Sequence, residues 1–186
     1  MSGVSVQPVL DRITVVERRR PFALVGIGGR GAAGKTSLAR SIPEAHVVGT
    51  DEFWNGSEFE LSRLRREVFD ALLRGERAVY AGFNWAHQER FVEPRVVEPR
   101  GLIVIDGVCA LHRMFRDDYD LRIWVEAPYP VRLARGVARD GEASRRTWEE
   151  VWIPMEEHYI ARDDPISAAD LVVDGTRLEC EQTARD

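Results

Sequence analysis

The residues best equipped for chemistry fall together in GRGAAGKT, Gly29 to Thr36. The spacing is G-x-x-x-x-G-K-[ST], in which glycines let successive backbone N–H groups turn inward and cradle the phosphates of a nucleoside triphosphate. Lys35 then reaches the outer phosphates, and the Thr36 hydroxyl is a ligand for Mg²⁺. Gly29, Arg30, Gly31, Ala32, Ala33, Gly34, Lys35, Thr36 and Ser37 are therefore the expected ATP-binding residues. Lysine and arginine together number 26, and Lys35 is the one lysine among them. A compact ammonium threads into a tight loop where the planar fork of arginine does not fit.

A phosphate loop alone does not name a reaction, so the accessory residues must decide. LIVIDG ends an apolar run on Asp106, an acid placed to support Mg²⁺ together with Thr36. Upstream, HVVGTDEFWNG runs from an apolar pair into Asp51, with Phe53 and Trp54 just behind it. Beyond the carboxyl ends of parallel strands, both acids would face the crevice that holds the phosphate loop. Asp51 is then placed to accept the proton of an acceptor hydroxyl as the γ-phosphoryl group moves across. Phe53 and Trp54 would wall the acceptor and exclude water; the plainer alternative is an Asp capping a helix beside core rings. AGFNWAHQER adds Phe83, Asn84, Trp85 and His87, suited to stacking on a flat acceptor and hydrogen-bonding its hydroxyls.

RLARGVARDGEASRR spreads Arg132, Arg135, Arg139, Arg145 and Arg146 around a polar, glycine-containing break. Arginines on a segment beyond a helix serve as a lid that stabilises the charge of phosphoryl transfer. The lid is expected over residues 139–147, with Arg139 catalytic and Arg145 on the phosphates.

These groups need a scaffold, and the sequence alternates apolar runs with helical patterns. FALVGIGG, HVVGT, GLIVIDG, LRIWVEA and DLVVDG read as strands, and RAVYAGF as a further extended piece. RFVEPRVVEPRG carries two prolines and reads as an edge excursion or hairpin. Leu61, Leu64, Val68 and Leu72 recur at helical spacing before Gly75. Two more helices are expected over residues 129–139 and 147–161. The second opens on a Thr147/Glu150 capping box and carries Trp148, Val151, Trp152, Met155 and Tyr159 on one face, with a kink or break near Ile153 ahead of Pro154. VLDRITVVERRR predicts a peripheral helix within residues 1–20, with Glu17 to Arg20 solvated. Strands alternating with helices make the fold α/β, three-layered, with a mostly parallel sheet.

Composition narrows the class. A chain of 186 residues fits a single domain over 1–186, and a net charge of -5 argues against nucleic acid as a partner. No apolar run suits a membrane, residues 1–20 do not read as a secretion signal, and the expected location is cytoplasmic. Cys109 and Cys180 suggest reduced thiols rather than a disulfide framework. A GTPase guanine signature has no lysine available to it.

Taken in order, GGRGAAGKTSLA, DEFW, FNWAH, VIDG, RLARGVARD, the Pro154-containing helix and AADLVVDG resemble the uridine kinase family of P-loop kinases, over roughly residues 22–175. The resemblance implies a five-stranded sheet of order 2-3-1-4-5, ATP and Mg²⁺ as cofactors, and a nucleoside acceptor of the uridine or cytidine kind. It implies Asp51 as general base for the 5'-hydroxyl, Trp54 and Phe83 in the nucleoside pocket, and Arg139 in the lid. The chain departs from the pattern at Asn84, where the family usually has an Asp, at His87, which comes one residue early, at Asp106 in place of Glu, and at Arg30 in the loop. VWIPMEEHY and LVVDGT also look like nicotinamide riboside kinases, so that acceptor, or a sugar or vitamin, is the alternative. An ATP-binding regulatory module without acceptor phosphorylation is the alternative of another class. The expected partner is a small-molecule acceptor, and a homo-oligomer is left open.

Overall fold

The computed structural model describes residues 7–16, 20–85 and 87–178. Five strands form one all-parallel sheet: β1 (Phe22–Gly29), β2 (Ala45–Gly49), β7 (Gly101–Asp106), β8 (Leu121–Glu126) and β9 (Leu171–Asp174). Their spatial order is β2-β7-β1-β8-β9, the 2-3-1-4-5 order expected of the five sheet strands. The intervening β3 (Ala78–Tyr80), β4 (Phe83–Asn84), β5 (Glu89–Arg90) and β6 (Arg95–Val97) stay outside it. They pair antiparallel as β3 with β6 and β4 with β5. The proline-bearing segment is thus the edge excursion its composition predicts, and RAVYAGF divides into two short strands.

Alternation along the strands feeds a core on each face of the sheet. Leu24, Ile103, Ile105 and Trp124 join one buried cluster, and Val25, Ile27, Val104, Ile123 and Val125 join the other. The second cluster is closed by α1 (Gln7–Thr14) and α2 (Lys35–Arg40), through Val9 and through Leu38 and Ala39. The first receives α3, a helical run over residues 61–73 interrupted by a π-helical turn at Arg65–Phe69. No helix among the described residues is long and apolar enough to cross a membrane.

The remaining helices are α4 (Tyr129–Asp140) and α5, which covers residues 145–163. Here the expectations need correction. Helix α5 continues through Pro154, preceded by a π-helical turn at Trp148–Trp152. The wider turn opens the ladder where the proline ring would meet the carbonyl one turn back. It also moves the buried stripe along by one residue: Trp148, Ile153, Glu156 and Tyr159 are buried, whereas Val151 and Met155 are exposed. No capping box forms at Thr147, because the helix already begins at Arg145 and Glu150 pairs with Arg146. Glu17 to Arg19 lie outside the described residues. Arg20 is not solvated as expected but pairs with the fully buried Asp120 side chain at 2.9 Å.

Candidate active site

Parallel pairing brings five strand ends to one edge, and register decides which residues meet there. Asp106 lies opposite Ile27 on one side and Gly49 on the other. Asp51 follows Gly49 by two residues, so both acids reach the edge from which the phosphate loop springs. The loop leaves β1 at Gly29, passes through a left-handed Ala32 (φ +57°) and Gly34 (φ +106°), and enters α2 at Lys35. An alanine held at positive φ is strained, as is common where a loop must turn its amides inward.

Lys35 is 7% exposed and folds back so that Nζ donates to the Arg30 carbonyl at 2.7 Å. Burial lowers its pKa, against the raising effect of Asp106, Glu156 and Asp51; the charge of Arg139 adds to the lowering. All four charges, carried on four separate segments, act on this one ammonium. The Thr36 hydroxyl donates to Asp106 Oδ2 at 2.7 Å, while Asp106 Oδ1 is buried with no hydrogen-bond partner. Burial raises the Asp106 pKa to about 6, opposed by Lys35 and the Thr36 hydrogen bond. A hydroxyl and an unsatisfied carboxylate oxygen side by side fit Mg²⁺, which takes few protein ligands and completes its shell with water and phosphate oxygens.

Strand β2 runs into a 3-10 turn, Thr50–Phe53. It turns Asp51 outward and Phe53 inward. Phe53 is fully buried, stacked on Tyr80 at 4.9 Å with Arg63 above its ring, so its expected place in the acceptor wall is corrected to a place in the core. Trp54 is half-buried and lies nearly parallel to Trp85, with centroids 5.8 Å apart. The Trp85 indole N–H donates to the Asp51 carbonyl at 3.3 Å, which ties this ring pair to the acid. Phe83 sits edge-on to Trp85 at 5.2 Å and is 5% exposed. Asn84 Oδ1 accepts the backbone N–H of His87 at 3.3 Å and shapes the β4–β5 turn, leaving the His87 side chain exposed.

Of the arginines expected in a lid, Arg139 pairs with Asp140 and lies over the Trp148 ring, 5.7 Å from its centroid. Arg145 is not brought to the loop: it pairs with Glu142 on the exposed side, and Arg146 pairs with Glu150. Sequence reasoning missed three contributors. Phe59 packs edge-on against Trp54 at 5.1 Å, and Glu52 braces the Asp51 turn by accepting the Gly49 N–H at 3.1 Å and pairing with Arg95 at 3.0 Å. Glu156 reaches the phosphate loop from α5, accepting the Gly31 N–H at 2.6 Å and pairing with Arg132 at 3.1 Å. Glu52 stands within HVVGTDEFWNG and Phe59 three residues beyond it, whereas no signal in the chain connects Glu156 with Gly31.

No family model matches the chain. It is 30% identical over 170 residues to the uridine kinase of Halobacterium salinarum, covering 75% of each chain. It is 30% identical over 143 residues to the uridine kinase of Saccharomyces cerevisiae, covering 63% of this chain but only 28% of that longer relative. In structure it resembles a possible uridine kinase from Bacillus stearothermophilus, with a TM-score of 0.68 and 15% identity over 91% of this chain and 97% of that one. With the phosphate loop, the paired acids and the sheet order already in place, these relationships put the chain in the uridine kinase family of P-loop kinases.

Proposed function

We propose that the protein transfers the γ-phosphoryl group of ATP, with Mg²⁺, to a hydroxyl of a small acceptor, and that the acceptor is a nucleoside phosphorylated at its 5'-hydroxyl. The observation that carries this reading is the convergence of Lys35, Asp51 and Asp106 on one edge of the sheet, with Thr36 hydrogen-bonded to Asp106. Loop amides and Lys35 hold the donor phosphates. Thr36 and Asp106 would hold Mg²⁺, which when bound would supply charge neutralisation at the phosphates. The nucleoside base stacks on Trp54 and Trp85, which sets its hydroxyl beside Asp51.

Asp51 accepts the proton as the acceptor oxygen bonds to the γ-phosphorus and the bond to the ADP oxygen breaks. Arg139, in a lid over residues 139–147, offsets the charge on the moving phosphoryl group. Closure of that lid keeps water from competing with the acceptor.

The test is ADP release across a panel of ribonucleosides, nicotinamide riboside and simple sugars, with Asp51→Asn run in parallel. One acceptor should accelerate release, and the Asn variant should lose that acceleration. If no acceptor changes the rate while ATP still binds, the acceptor half of the reading is wrong and an ATP-binding regulatory role takes its place.

A further inference from the structure

Helix α5 delivers to the phosphate loop an acid that the transfer reaction does not call for. Glu156 is 6% exposed, and its two oxygens are divided between the Gly31 N–H and Arg132 Nη1, at 2.6 and 3.1 Å. Arg132 is 2% exposed and also donates through Nε to the Ala127 carbonyl at 3.1 Å. Gly31 has no room for a side chain, since a Cβ would meet the Glu156 carboxylate and the Trp148 ring. A buried carboxylate is costly to hold, and an apolar residue would pack the helix against the loop at least as well. A carboxylate bridging a loop amide and a guanidinium presents the same pair of acceptor oxygens that a phosphate presents. Its charge also acts on Lys35, alongside that of Asp106. A donor bringing its phosphates to this loop meets Glu156 as a like charge engaged with the same hydrogen-bond donors.

We propose that Glu156 is an internal ligand of the phosphate loop, competing with the donor's phosphates for the Gly31 N–H and the Arg132 guanidinium, which the incoming nucleotide takes over. Helix α5 is thereby latched to the loop through its own carboxylate and released in step with phosphate binding. Arg132 becomes available to grip phosphate only when phosphate is there. The inference rests on reading residues 29–36 as the donor-phosphate loop.

Calorimetric titration of ATP and Mg²⁺ without acceptor tests it independently of turnover. Glu156→Gln should tighten ATP binding by about tenfold or more, the worth of one charge-assisted hydrogen bond. Glu150→Gln makes the same charge change at an exposed position of the same helix and should alter affinity less than about twofold. Glu156→Asp retains the charge for Arg132 but draws its oxygens back from Gly31; it should tighten binding by a smaller factor and carries the test if the Gln variant does not fold. The Gly31 amide resonance should differ between wild type and variant before ATP is added and coincide at saturation, a convergence that a purely structural role would not produce. Equal affinity in wild type and both Glu156 variants, or a wild-type Gly31 resonance that ATP does not move, overturns the proposal alone. Absence of ATP binding in every protein overturns it together with the donor-loop reading.

Discussion

The two halves of the site are built to different standards. On the donor side, Lys35 and Asp106 are buried, and the loop is fixed between a central strand and a helix. On the acceptor side, Asp51 and His87 are exposed, Trp54 and Trp85 are partly so, and the supporting strands β4 and β5 contain two residues each. The donor groups are held by the sheet that makes the fold, so changing them disturbs the core. Apart from the buried Phe83, the groups proposed for the acceptor hang on turns outside that sheet, where replacement costs little stability. On the proposed reading, the division makes phosphate chemistry the fixed part of this protein and acceptor choice the adjustable part.

The sharpest way to break the comparison is to remove one group from each side. Asp51→Asn should lower acceptor-dependent turnover by about 10²–10⁴, the range for a lost general base, with the fold unchanged by circular dichroism. Lys35→Ala should lower turnover by about 10²–10³, the scale for one preorganised electrostatic contact, and a loss below threefold would contradict its role.

Adjacent aromatic residues sharpen it further. Phe53→Ala should cost about 3–5 kcal/mol in denaturant unfolding, because it opens a cavity under the sheet. Trp54→Ala should leave stability nearly unchanged and raise the acceptor KM by about three- to tenfold, as one lost stacking contact implies.

A smaller, pH-dependent effect belongs to the donor side alone. Asp106, raised by burial to about 6, must be ionised to serve Mg²⁺, so kcat/KM for ATP should fall as pH drops below about 6. At saturating Mg²⁺ and ATP the acid limb in kcat should move lower, since a bound cation favours the carboxylate. A flat profile between pH 5 and pH 7 would separate Asp106 from donor binding.

The same division governs how much could be read from the sequence. The donor half was legible because its determinants are local: glycine spacing, a lysine before a helix, and apolar strands ending on acids. Strand order followed from the family resemblance, and register then brought Asp106 beside Ile27 and Gly49. The acceptor half was legible only in outline, because a 3-10 turn sends neighbouring rings to opposite sides and Phe53 and Trp54 exchange meaning within one residue. Pro154 misled in the same way, since a π-helical turn absorbs it and shifts the buried face. Glu156 could not be found at all, being 125 residues from Gly31 and, in sequence, one more acid on a charged helix.

The most direct test of a separable donor and acceptor half is one preparation of Asp51→Asn measured twice, by ATP titration in the presence of Mg²⁺ and by acceptor-stimulated ADP release. The account predicts an ATP affinity within about threefold of wild type and no stimulation by the acceptor. Retained stimulation, or loss of ATP binding in parallel with turnover, would contradict it.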